Sequence, residues 1–324
     1  MLTRRDVGML LDLEACIAAV EHAFRLHGEG KTAAPGTMSI PVAGGGFCIK
    51  AGVLELGRPY FAAKTNANFP DNPERHSLPA IQGVIVLADA ERGTPLALID
   101  SMEITTLRTG AATAIATSHL ARPDARTATI VGCGTQGRIQ LRAVHTVRPL
   151  ERAYACDRDL TVAQRFAREM TAALGLDVRA TPDLSGAARN SDIVVTCTPS
   201  RQAIVGPDDV RPGTFVAAVG ADHAEKHEIA PALLAASRVV VDVIEQAATI
   251  GDLHHALTAG ALTRDDVHAE LGEVVAGRKR GRCAPGETIV FDSTGMALQD
   301  VAAAAAVYER AVQTGRGLTV ALGL

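Results

Sequence analysis

The stretch VGCGTQG, Val131 to Gly137, carries the residues whose types and spacing suit chemistry most directly. Gly132, Gly134 and Gly137 fit a G-x-G-x-x-G turn that follows an apolar strand and opens a helix, with Thr135 and Gln136 in the same turn. In such a turn the first glycine makes the bend, the second lets backbone approach a pyrophosphate, and the helix amino terminus faces its charge. AYACD then ends a second strand in Asp157, placed to take the two adenosine ribose hydroxyls. A carboxylate there repels a ribose phosphate, which favours NAD over NADP, while the adjacent Arg158 suits stacking on adenine or meeting a phosphate. The plain alternative is a tight turn without ligand and a solvated acid at a strand end.

Carboxyl ends of parallel strands line the ligand crevice in this type of sheet. Thr198 in TCTPS, Val219 and Gly220 in VGADHAEKHEI, and Ser293 in FDSTG stand at such ends and join the cofactor-binding set. Asp222, in the same loop as Gly220, reads equally as a catalytic acid or as a surface acid. Hydride transfer also needs a substrate held with its reacting carbon at the nicotinamide. Two cations in unusual settings could hold it there. They are Lys64, within the apolar strand of YFAAKTNANFPDN, and Arg108, inside the small-residue helix of TTLRTGAA. Taken singly, each also has the ordinary reading of a solvated side chain.

The elements that must position these groups fall into two rhythms. Residues 1 to about 30 show helical spacing, with Leu13, Ile17, Val20 and Phe24 on one stripe. From Met38 to Asp100 short apolar runs are broken by glycine and proline, and IQGVIVLAD and TPLALID flank AERG as a hairpin. A helix through MEITTLRTGAATAIATSHLA follows and is broken at ARPDAR. From Thr127 the strands TATIVG, RAYACD, DIVVTCTP, TFVAAVG and RVVVDV alternate with helices, as a parallel sheet covered on both faces requires. An alanine-rich helix through GMALQDVAAAAAVYERAVQTG closes the chain.

Length and composition set bounds. A chain of 324 residues with 47% apolar and 21% charged residues suits about two globular domains. A net charge of -4, 3% aromatics and no tryptophan argue against a nucleic-acid partner. The basic run GRKRGRC reads as a solvated loop. No apolar run approaches the ~20 residues that cross a bilayer, and no leader pattern opens the chain, so a cytoplasmic protein is expected. The six cysteines form no C-x-x-C pair and read as reduced, mostly buried side chains. His254 and His255 are adjacent on a helix, cannot both face one ion, and read as a solvated pair; no metal is expected.

Several motifs taken together resemble the ornithine cyclodeaminase and mu-crystallin family across essentially the whole chain. They are KTNANFPDN around Lys64, IQGVIVLADAERGTPLALIDS, LRTGAATAIAT around Arg108, VGCGTQG, VGADHAEKHEI around Asp222, and VFDSTGMALQD. The resemblance implies an α/β fold in which a Rossmann-type NAD-binding domain, residues 122–293, is inserted between segments of a second α/β domain, residues 1–121 plus 294–324. That second domain would bind substrate and make a homodimer. By the same resemblance, Lys64 stands beside the reacting amine or imine carbon, Arg108 pairs with the substrate carboxylate, and Asp222 handles a proton. Lys226 and Glu228 match the motif but also suit a solvated pair, and Asp300 has no clear role. The activity implied is an NAD(H)-dependent oxidoreductase on the Cα–N bond of a small amino acid or its imine, of the alanine dehydrogenase or ketimine reductase type. The alternatives are a redox-neutral cyclodeaminase and a ligand-binding protein of the mu-crystallin kind. The sequence departs from the family twice. Thr37 in APGTMSIP replaces a carboxylate-binding arginine, and CIKAGV offers Lys50 and Ala51 where ornithine-cyclising members carry a glutamate for the side-chain amine.

Overall fold

The computed structural model describes residues 1–321. The chain divides into two compact units, one of Met1–Arg108 with the segment from Met296 onward, the other Thr109–Gly295.

The first unit opens with two helices rather than the single one expected: α1 (Arg4–Leu10) and α2 (Leu13–Gly28). Thr3 and Asp6 form a capping box on α1, and the Asp12 carboxylate caps α2 through the Ala15 N–H, so the chain must break between them. An antiparallel sheet follows in simple order: β1 (Gly36–Val42), β2 (Gly45–Glu55), β3 (Pro59–Asn68), then, after the short α3 (Asn72–His76), β4 (Ile81–Asp89) and β5 (Pro95–Asp100). β4 and β5 are the expected hairpin. The period of two sorts the side chains by face. Lys50, Leu54, Tyr60, Ala62, Lys64 and Ile85 are buried on one face, while Phe47, Val53, Val84 and Val86 are exposed on the other.

Helix α4 (Ser101–Leu120) leads out of the sheet, and the division between the units falls inside it, after Arg108. Its second half belongs with the second unit because Gly110 admits the following helix: a Cβ there would stand 2.7 Å from the Ile139 side chain. The second unit then runs β6 (Thr127–Val131), α5 (Thr135–Val147), β7 (Arg152–Cys156), α6 (Leu160–Leu174), β8 (Asp177–Ala180), α7 (Leu184–Arg189) and β9 (Ile193–Thr196). It continues with β10 (Arg201–Val205), β11 (Phe215–Ala218), β12 (His227–Ile229), α8 (Pro231–Ala235), β13 (Arg238–Val241), α9 (Ile244–Ala247), α10 (Gly251–Thr258), β14 (Ala269–Glu270), α11 (Leu271–Val275) and β15 (Ile289–Asp292).

Eight of these strands form one parallel sheet in the order β14-β13-β15-β11-β9-β6-β7-β8. β6, β9, β11 and β15 are apolar and almost wholly buried, as central strands covered on both faces must be. The order reverses between β6 and β9, the switch point beside which ligands bind in sheets of this kind. The closing helix α12 (Ala297–Thr314) returns to the first unit and lies on the buried face of its antiparallel sheet. Gly52 on β2 permits that approach, since a Cβ there would meet Leu298 at 2.9 Å. Among the described residues no helix is long and apolar enough to cross a membrane.

Candidate functional site

In the first unit, β3 directs Lys64 inward and α12 brings Asp300 to meet it. Lys64 is 2% exposed, and its Nζ lies 2.7 Å from Asp300 Oδ2 and 2.9 Å from Oδ1. Arg108 from α4 reaches the same carboxylate, Nε to Oδ1 at 3.2 Å, and its Nη1 donates to Gln299 Oε1 at 2.8 Å. One buried carboxylate therefore serves two buried cations. Burial first, and then the neighbouring Arg108 charge, bring the Lys64 pKa down to about 7 against the opposing pull of Asp300. Burial works to raise the Asp300 pKa, but the Lys64 and Arg108 charges prevail and hold it below the usual carboxylate value. A lysine so placed changes charge near neutrality, which suits proton handling at an amine. Asp300 and Gln299 carry this geometry, yet sequence reasoning assigned Asp300 no role. The signal was available: a polar pair at the start of an otherwise alanine-rich buried helix.

The glycine turn lies in the second unit. Gly132 has φ +98°, open to glycine but strained for other residues, and a Cβ on Gly137 would collide with the Gly132 carbonyl oxygen. A Cβ on Gly134 would meet nothing within 4 Å, so this glycine faces open space at the start of α5. No side chain caps that helix, which leaves its first N–H groups open to an anion. Thr135 and Gln136 form its first turn. The Asp157 carboxylate, at the end of β7, is braced through Oδ2 by the Cys133 N–H at 2.9 Å and through Oδ1 by the Asp159 N–H at 3.1 Å. Arg158 beside it is exposed. These residues fit a dinucleotide: an uncapped helix start for the pyrophosphate and a fixed carboxylate one strand away. The Cys133 and Cys156 thiols, driven up to about 12 by burial, stay protonated beside the turn.

Glu228 is the main correction in this unit. It is fully buried and not half of a solvated pair. Its carboxylate accepts from Thr196 Oγ1 at 2.8 Å, Thr198 N at 2.6 Å, Thr198 Oγ1 at 2.7 Å and Gly220 N at 2.8 Å. Burial pushes its pKa up while these donors pull the other way. It thus ties the ends of β9 and β11, where Thr198, Val219 and Gly220 stand. Asp252 in turn accepts the Glu228 and Ile229 N–H groups at 2.7 and 2.8 Å. Ser293, just past β15, donates its N–H to Ala218 O at 2.8 Å. Lys226 pairs instead with Asp222, Nζ to Oδ1 at 2.6 Å, and Asp222 is exposed on its loop. Asp222 belongs to the second unit and Lys64 to the first.

His254 and His255 are half-buried rather than solvated. The His255 ring stacks on His227 with centroids 4.0 Å apart, and its Nε2 meets Lys226 O at 2.8 Å. In GRKRGRC, Arg282 is drawn in by the Leu120 carbonyl, which its Nε reaches at 2.8 Å, while Arg278, Lys279 and Arg280 are exposed.

A parallel sheet with a glycine turn of the dinucleotide-binding type, in a chain whose other unit buries a lysine, a carboxylate and an arginine together, defines a nucleotide-binding α/β protein. The chain belongs to the ornithine cyclodeaminase/mu-crystallin family, which it matches over residues 1–315. It is 36% identical to the alanine dehydrogenase of Archaeoglobus fulgidus over 317 residues, 98% of this chain and 96% of that protein. A solved archaeal alanine dehydrogenase, a dimer with bound NAD, matches with a TM-score of 0.94 at 36% identity, covering 99% of this chain and 98% of that one. The iminosuccinate reductase of Paracoccus denitrificans, solved in complex with NAD+, matches with a TM-score of 0.89 at 30% identity over 97% of this chain and 96% of that one.

Proposed function

We propose that this protein is an NAD(H)-dependent oxidoreductase acting on the Cα–N bond of a small amino acid or its imine. The observation that carries the reading is the buried Lys64, titrating at about 7 and sharing Asp300 with Arg108, in a chain that also holds a dinucleotide turn. The relatives named as an alanine dehydrogenase and an iminosuccinate reductase act on that type of bond and support it. Gly132, Gly134, Thr135, Gln136, Gly137, Asp157, Arg158, Thr198, Val219, Gly220 and Ser293 are the residues we assign to the cofactor, which supplies or accepts the hydride. Asp157 selects NAD by repelling a ribose phosphate.

Arg108 orients the substrate carboxylate with the guanidinium donors that Asp300 and Gln299 leave available. Lys64 faces the reacting carbon and holds or releases a proton at Nζ, while Asp300 sets the pH at which it does so. Asp222 takes the proton exchanged with water or the amine. Lys50, buried next to Lys64, repels a side-chain ammonium, so cyclisation of ornithine is disfavoured. The protein acts in the cytoplasm as a homodimer built on the exposed face of the antiparallel sheet.

The test follows NADH absorbance and ammonia together while the purified protein and NAD meet a panel of L-amino acids. NADH rising in step with ammonia is the expected result. Ammonia without net NADH moves the assignment to a redox-neutral cyclodeaminase, and silence in both channels, in deamination and in imine reduction, rejects the enzyme.

A further inference from the structure

Gln299 is fully buried on the first turn of α12, yet only half of its amide has a partner. Its Oε1 accepts from Arg108 Nη1 at 2.8 Å. A guanidinium only donates, so the amide cannot be turned the other way round, and that bond fixes where Nε2 lies. Nε2 has no acceptor among the described residues. A buried N–H group without an acceptor is costly. A glutamate would serve Arg108 as well and strand no donor. A glutamine suits an acceptor that arrives from outside.

Three features make that acceptor an anion. Side chains on a helix lean toward its amino terminus, so the amide overlies the opening of α12, which no side chain caps. That end of the 18-residue helix is its positive pole. Arg108 adds a full charge one hydrogen bond away, while the Asp300 carboxylate is turned to Lys64 and Arg108. We propose that Gln299 is a substrate-binding residue whose Nε2 donates to one oxygen of the substrate carboxylate while Arg108 donates to the other. This rests on the oxidoreductase reading above and completes its carboxylate site. The pair admits a carboxylate and rejects the corresponding carboxamide, whose N–H groups would meet the guanidinium. No bond forms or breaks at Gln299, so its effect is on binding.

The first test needs no turnover. The melting temperature of the NADH complex is measured with propionate, pyruvate and propionamide at equal ionic strength. The two carboxylates are expected to stabilise the wild type and the carboxamide is not; no shift with either carboxylate, or equal shifts with propionate and propionamide, overturns the proposal. Gln299→Glu separates donation from mere support of Arg108, because it keeps an acceptor for Nη1. If Gln299 only braces Arg108, the propionate shift survives in Gln299→Glu and the proposal is wrong. If Nε2 donates to the ligand, the substituted carboxylate faces another carboxylate and the shift is lost, while Gln299→Met, which keeps the shape without the charge, reduces it. NADH affinity within a few-fold of wild type verifies that each variant is folded, and Gln299→Glu alone decides should Gln299→Met fail to fold.

The second test is kinetic and uses the amino acid that the wild type turns over best. KM is expected to rise roughly tenfold in Gln299→Met and further in Gln299→Glu, about the worth of one hydrogen bond to a charged group, with kcat within a few-fold. A fall in kcat at unchanged KM, or a wild-type KM in Gln299→Glu, overturns the proposal. A carboxylate shift that Gln299→Glu abolishes, without turnover of any amino acid or imine tried, rejects the oxidoreductase and keeps the binding role; turnover with an unaltered KM in Gln299→Glu does the reverse.

Discussion

Lys64 and Asp300 act as a unit, and removing either partner has a calculable sign. Lys64→Met takes away the group proposed at the reacting carbon but nothing in the glycine turn, so turnover should fall by at least ~10² while NADH affinity stays within a few-fold. Fluorescence titration beside steady-state rates measures both, and surviving turnover would refute the role. Asp300 raises the Lys64 pKa against burial and the Arg108 charge. Its replacement in Asp300→Asn therefore moves the Lys64 transition to more acid pH, seen as a shift in the inflection of kcat/KM from about 7 in the wild type. Stability follows the same sign logic. Because the folded pKa of Lys64 is depressed, the unfolded chain holds an extra proton between about 7 and the ordinary 10.5, so this group's contribution to stability rises with pH across that window. Asp300→Asn also leaves two buried cations without their anion, a loss of about 3–5 kcal/mol that thermal unfolding at pH 7 should register.

At the scale of elements, the ends of β9 and β11 are held by one side chain. Glu228→Ala strands the Thr196 and Thr198 hydroxyls and the Thr198 and Gly220 N–H groups, each unsatisfied donor costing about 1–3 kcal/mol where water cannot reach it. We expect a lower melting temperature and NADH binding weakened by about tenfold, a loss worth ~1.4 kcal/mol. Unchanged NADH affinity would mean that these strand ends do not hold the cofactor.

Glu228 also marks the limit of what the sequence disclosed. The glycine turn, Asp157 and the central parallel strands were legible because local spacing and apolar runs determine them. Burial of Glu228 was not, because four donors brought from residues 196, 198 and 220 are what make a buried carboxylate tolerable, and no local pattern reports them. Asp300 showed locally only as half of a polar pair on an alanine-rich helix; its partners lie on β3 and α4, far away in sequence, so the cluster itself could not be read. The edge strands β8 and β14 were missed because they are only four and two residues long. Strand β15 escaped as an element because TIVFD runs directly into a motif already read for its chemistry.

At the scale of the whole molecule, the first unit carries an exposed apolar face. On the outer face of the antiparallel sheet Met38, Ile40, Phe47, Val53, Val84, Val86 and Leu98 are all exposed, and the register sets them on neighbouring strands. Monomeric proteins rarely expose contiguous apolar patches beyond a few hundred Å², whereas a stable interface buries about 800 Å² on each partner. A second copy of the same face is the simplest cover, because a two-fold axis makes one patch complementary to itself. The solved archaeal alanine dehydrogenase that this chain resembles is a dimer. Two-fold symmetry doubles the effect of any substitution, so Val86→Glu would place two carboxylates in the apolar contact at once. Its neighbour Ile85 points the other way into the core, so folding of the unit should be little affected. Light scattering coupled to gel filtration at micromolar concentration should then give a dimer for the wild type and a monomer for Val86→Glu, with NADH binding retained. A wild-type protein that elutes as a monomer, or a Val86→Glu variant that stays dimeric, would remove this face as the contact.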